Sequence, residues 1–223
     1  MPFTLRDPVS SLTHLSAAVL AVFVTLLFVR LTWYDRAKCR SMLVFGLSMV
    51  VLYTASGVYH AINLPFDSTA VWVARRIDHS AIYILIAGSF TPVLMVILAD
   101  TWAWRLLPWV WGLALAGVAA KWFWPIAPDP LTTGLYLALG WIGVLPAILL
   151  WRRVGPGCVG WSALGGLLYT AGAVCDLVGW PNLLPGWFGP HEVLHVCDMA
   201  GTSAHVILMF RYVVPFPRRY NDL

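Results

Sequence analysis

Six histidines, His14, His60, His79, His191, His195 and His205, lie inside or at the edges of long apolar stretches. An ionisable ring is costly at membrane depth, so each is a candidate for function. His191 and His195 stand four residues apart, which stacks both rings on one helix face, able to share a metal ion. His60 would add a third nitrogen from a distant part of the chain. Three neutral imidazoles leave Zn²⁺ an open position for water, the catalytic form of such a site. Asp78 is then placed to hold and deprotonate that water. Ser56, one turn before His60 on the same face, is placed to hydrogen-bond a water or a substrate oxygen. Asp198, one turn after His195, is a candidate to orient an imidazole.

These residues need elements to carry them, and the composition says which. Of 223 residues, 60% are hydrophobic and 11% charged, with a mean hydropathy of +0.78. A water-soluble domain of this length has too little interior to hide so much apolar surface. The expected fold is an all-α membrane protein, a seven-transmembrane helix bundle forming a single domain over residues 1–223. Spans of roughly 20 residues are expected near 10–32, 42–63, 78–99, 103–122, 131–151, 158–180 and 191–213. The breaks between them are charged or rich in Pro and Gly, as at Asp35–Arg40, Asp100–Thr101, Pro125–Pro130 and Pro181–Pro190. The first span is too long, and lacks a small-residue cleavage site, to read as a cleaved signal peptide. Thirteen Trp suit the membrane interfaces. Gly88, Gly165 and Gly166 read as packing notches.

Topology alone then gathers the candidates. An even-numbered helix ends on the side where an odd-numbered one begins. His60 closes the second span, Asp78 and His79 open the third, and His191 and His195 open the seventh. All five therefore share one depth, near the face that bears the amino terminus. That face carries Arg6, Arg75, Arg76 and Lys121. The opposite face carries Arg30, Arg36, Lys38, Arg40, Arg105, Arg152, Arg153, Arg211, Arg218 and Arg219. The basic excess places the carboxyl terminus in the cytoplasm. The net charge of +4 is thus a topology signal and not a nucleic-acid one.

Other residues have plainer readings. Cys39, Cys158, Cys175 and Cys197 have neither metal-type nor redox spacing and read as small buried hydrophobes. His205 lies roughly 21 Å along its helix from His191 at 1.5 Å per residue and reads as a helix-packing hydrogen bonder. His79 faces away from Asp78 and suits packing or orientation. His14 opens the first span near the metal side without an assigned role. His191-Glu192-x-x-His195 also matches the zincin protease motif, which would make Glu192 the base. The short chain remaining after it lacks the downstream acidic ligand motif.

At these residues the chain resembles the hemolysin III branch of the progestin and adipoQ receptor family. The matching segments are Ser56-x-x-x-His60, the run from Asp78 through Thr91-Pro92, and His191-Glu192-Val193-Leu194-His195 with His205 following; Thr13-His14 also fits. The resemblance implies zinc on His60, His191 and His195, with Asp78 holding the water. It also implies a membrane lipid or fatty-acyl substrate, by way of ceramidases in the wider superfamily, and a bacterial inner or plasma membrane. A membrane-fluidity homeostasis or sensor protein with a structural zinc is the alternative, and a cytolytic role is less favoured. Two features depart from the family pattern. Receptor relatives hold the amino terminus in the cytoplasm, the reverse of the charge reading here. Asp176, late in the sixth span, is an unexpected acid on the metal side, suited to orienting a ligand, touching substrate or bonding between helices.

Overall fold

The computed structural model describes residues 4–124 and 128–217; Pro125, Arg218 and Arg219 lie outside the described residues. Within them the chain is helical and contains no β-strand. Helix α1 (Pro8–Thr32) starts on a proline, whose missing N–H is no loss at a first turn. Helix α2 (Arg36–Ala61) is capped by Asp35, whose carboxylate accepts from the Lys38 N–H at 3.0 Å. Helix α3 (Thr69–Pro92) is capped by Ser68 and runs on through one wide turn, Val93–Ile97. A 3₁₀ turn, Trp102–Arg105, leads into α4 (Leu106–Phe123). Then follow α5 (Asp129–Trp141), α6 (Ala147–Val154), α7 (Pro156–Val178) and α8 (Pro190–Leu208).

Among the described residues six helical stretches are long and apolar enough to cross a membrane, and a bent pair makes seven where its two helices count as one span. That pair is α5 with α6, which meet at 43° across Leu145 and Pro146. The sequence suggests one straight span at 131–151. Pro146 offers no N–H to the turn before it, and the helix breaks there. Two helices also begin earlier than their apolar runs. Polar caps at Asp35 and Ser68 start α2 and α3 before the hydrophobic register sets in. Arg76 is kept within α3 because its guanidinium lies over the Trp72 ring, 3.3 Å from the centroid.

The bundle separates its interior by depth. The half nearer the carboxyl end of α3 is filled by fully buried Phe28, Met42, Phe45, Leu94 and Met209. The other half buries His14, Ser56, His60, Asp78 and His195. Glycines bring the helices of that polar half together. A Cβ on Gly57 in α2 would lie 2.7 Å from Leu15 Cγ in α1, and one on Gly172 in α7 would lie 2.7 Å from Cys197 Cβ in α8. Gly88 and Gly165 are similarly filled by Ser48 and His205, as the sequence suggests, whereas Gly166 meets only Trp141 at 4.0 Å. At the opposite face Lys38 donates to the carbonyls of Val214 and Phe216, at 2.9 and 2.7 Å, and ties the last described segment to α2.

Candidate metal centre

The start of α1, the end of α2, the start of α3, the end of α7 and the start of α8 meet at one end of the bundle. There the rings of His60, His191 and His195 converge, each offering a nitrogen within 4.8 Å of the others. Ring centroids are 5.0 Å apart for His60 and His191, 4.9 Å for His60 and His195, and 4.7 Å for His191 and His195. A set of this kind could hold a metal ion.

Two carboxylates fix how the rings point. His60 Nδ1 donates to Asp7 Oδ2 at 2.8 Å, and His191 Nδ1 donates to Asp176 Oδ1 at 3.0 Å. Each ring so held keeps a bare Nε2, and these two nitrogens face one another at 3.2 Å. With both rings neutral, two lone pairs meet across that gap with no hydrogen between them. Such an approach is repulsive unless a cation bridges it. The pattern of imidazole backed by carboxylate is the usual support of a metal-binding histidine. The donor set therefore fits an ion on chemical grounds as well as by proximity.

Asp7 is the residue that sequence reasoning missed. It is fastened to the end of α2 by its own backbone N–H, which donates to the His60 carbonyl at 3.0 Å. Its neighbour Arg6 donates through Nε to the Asp7 carboxylate at 2.9 Å and through a terminal nitrogen to the Tyr59 carbonyl at 3.0 Å. Burial acts to raise the Asp7 carboxyl, but hydrogen bonds from His60 and Arg6 prevail and hold it below the usual value. An acid directly before a helix-opening proline looks like a cap, and Asp7 makes no side-chain cap bond to α1. Its one available signal is its place at the same membrane face as the histidines.

The remaining candidates fall around the trio. Asp78 is buried on α3 with Ser56 of α2 as a hydrogen-bonding neighbour. Both line a cavity of about 670 Å³ that also takes in His60, His191 and His195. His14 stacks on His195, centroids 3.7 Å apart and planes within 14°, and meets Tyr53 edge-on. It braces a ring of the trio from behind. His79 borders the cavity, and its backbone carbonyl accepts from Tyr136. His205 lies deep in the bundle against Tyr169, with its Nδ1 buried and unbonded. Glu192 has both oxygens engaged: Oε1 accepts from Ser10 Oγ at 2.7 Å and Oε2 from the Gly189 N–H at 2.9 Å. It closes the first turn of α8 and anchors it to α1, the bonding of a structural carboxylate and not of a protease base.

Comparison with known proteins agrees with this architecture. The chain is 30% identical to the Hemolysin-3 homolog of Bacillus subtilis over 220 residues, covering 96% of this chain and 98% of that one. It is 28% identical to Hemolysin-3 of Bacillus cereus over 215 residues, covering 96% and 94%. The Adiponectin receptor protein of Drosophila melanogaster is 25% identical over 216 residues, which span 86% of this chain and 47% of the receptor. The Haemolysin-III related family matches residues 4–206, and this integral membrane chain belongs to that family.

Proposed function

We propose that the protein is a zinc-dependent hydrolase of a lipid amide or ester, working inside the bilayer. The observation that carries this reading is that the three-imidazole cluster lines a lipid-sized cavity that also holds Asp78 and Ser56. Pockets for small molecules commonly occupy about 300–1,000 Å³. The 3.2 Å separation of the His60 and His191 nitrogens is close to the edge of about 3.3 Å expected between two ligands on tetrahedral zinc with bonds near 2.05 Å.

Zn²⁺ bound by His60, His191 and His195 would supply Lewis acidity toward a carbonyl and make a nearby water more acidic. The chain's own residues supply the rest. Asp78 stands ready to take a proton from a water in the cavity and to hand it to the leaving amine or alcohol. Ser56 has one hydrogen to give, to Asp78 at rest and to the carbonyl oxygen or the water when Asp78 takes a proton. Asp7 and Asp176 hold the His60 and His191 rings in register. The apolar walls, among them Leu85, Ile86 and Leu194, take an acyl chain and keep bulk water away. A structural ion in a homeostasis or sensor protein would want a closed set of four protein ligands. Among the described residues the convergent group is His60, His191 and His195, which favours the open, hydrolytic form.

Metal analysis of purified protein should give about one zinc per chain, and His60→Ala should abolish it. Asp78→Asn should keep the zinc and lose about 10²–10⁴-fold in fatty-acid release from labelled N-acyl and O-acyl lipids. Metal-free wild-type protein sinks the zinc centre. Undiminished turnover by Asp78→Asn sinks the role of that carboxyl.

A further inference from the structure

Helix α8 carries a polar stripe that the reading above leaves half unused. His191, His195, Asp198, Thr202 and His205 follow one another at intervals of four and three residues, so all five share one face. A run of this kind is tolerated in a membrane only when it faces partners or a cavity. His191 and His195 meet His60, and Thr202 is well partnered. Its hydroxyl accepts from Tyr53 at 2.7 Å and lies 2.8 Å from that of Tyr169.

Asp198 is different. It borders the same cavity as the trio, with Tyr169 and His205 beside it. Its Oδ2 is buried and receives no hydrogen bond from any described residue. The Tyr53 hydroxyl lies within hydrogen-bonding reach of the carboxyl and shares itself between Asp198 and Thr202, which leaves Oδ2 unserved. A buried carboxylate oxygen left without a donor is an energetic liability of about 1–3 kcal/mol unless something in the cavity satisfies it. Its depth says what that something is attached to. Three residues beyond His195 correspond to about 4.5 Å farther into the membrane. An extended chain covers that distance in three to four bonds of ~1.5 Å.

Resting on the lipid-hydrolase reading of this cavity, we propose that Asp198 recognises a hydrogen-bond donor, a hydroxyl or amino group, borne on the acyl chain near its third carbon. The carbonyl then lies at the metal centre and the substituted carbon one turn of α8 deeper. The substrate class is thereby narrowed to lipids with a 3-substituted acyl group, and a plain chain leaves the carboxyl unsatisfied.

The test uses zinc-loaded, full-length protein in lipid nanodiscs and displacement of a fluorescent fatty acid. The probes are hexadecanoic acid, 3-hydroxyhexadecanoic acid and 3-aminohexadecanoic acid. Wild type should bind at least one substituted acid about 10-fold more tightly than the plain one, as one good hydrogen bond to a buried carboxyl allows. Asp198→Leu should bring that ratio to about one. Asp198→Asn keeps an acceptor, so it should retain a hydroxyl preference and lose an amino preference, which tells the two sources apart. Zinc content of each variant reports whether its centre has formed; if Asp198→Leu fails that check, Asp198→Asn and the wild-type ratios decide. Equal wild-type affinity for all three acids, or a preference that survives Asp198→Leu, overturns this proposal and leaves the hydrolase reading standing. Failure of zinc-loaded wild type to bind any of the three overturns both.

Discussion

At the scale of single residues, two carboxylates set how the rings of the histidine trio point. Asp7 and Asp176 make equivalent bonds to His60 and His191, but in unequal surroundings. The His60 side chain is 5% exposed and that of His191 is 41% exposed. A charge-assisted bond is screened more in the wetter setting. Loss of such a supporting group lowers metal affinity by about 10–100-fold. Asp7→Asn is expected to fall toward the upper end of that range and Asp176→Asn toward the lower end. Zinc competition with a chromophoric chelator measures both, and an Asp176 effect larger than the Asp7 effect would contradict the burial argument. The trio itself was readable from the chain, because spacing fixed His191 and His195 and helix parity fixed His60. Asp7 was not, since its role arises from a turn of backbone that folds it over the end of α2, and no periodicity encodes that turn. His14 was placed on the right side of the membrane by the sequence, but its stacking on His195 joins two helices far apart in the chain and no spacing encodes it.

Elements explain why the geometry is tight enough to matter. The close contact of α1 with α2 is set at Gly57, one residue after Ser56 and three before His60. Gly57→Val would drive its side chain into Leu15, an overpacking that typically costs about 1–3 kcal/mol. The expected result is a lower thermal midpoint together with weaker zinc retention, because the same shift displaces Ser56 and His60. Gly166→Ala, facing only Trp141 at 4.0 Å, should leave both measurements near wild type. Equal loss in the two variants would mean that close approach at Gly57 does not govern the effect. Hydropathy revealed the helices well because a membrane span must be apolar over its whole length. It hid the early starts of α2 and α3, whose first turns are polar and depend on capping by Asp35 and Ser68. It also hid the bend between α5 and α6, which lowers no apolar count.

For the molecule as a whole, the split of basic residues is the orienting force. Counted by the loops that the expected spans leave, four Lys and Arg residues fall on the amino-terminal side and ten on the other. We propose on this ground that the carboxyl terminus is cytoplasmic and that the histidine trio lies toward the outer leaflet. A reporter that fluoresces in the cytoplasm should be active when fused to the carboxyl end, and a phosphatase that needs the periplasm should be silent there. The reverse pattern would place the centre in the inner leaflet and give it a different pool of lipids. The depth separation inside the bundle suits either orientation: the histidines and carboxylates gather in one half, and the cavity they line runs on into the apolar half past Leu94 and Met209.

The fastening of Arg6 and Asp7 to the last turn of α2 has a practical corollary for anyone handling the protein. An affinity tag or fusion partner at the amino end is attached only a few residues before the carboxylate that holds the imidazole of His60. Preparations that differ only in that extension should differ in how firmly they keep their ion through purification, so purification handles belong at the other end of the chain.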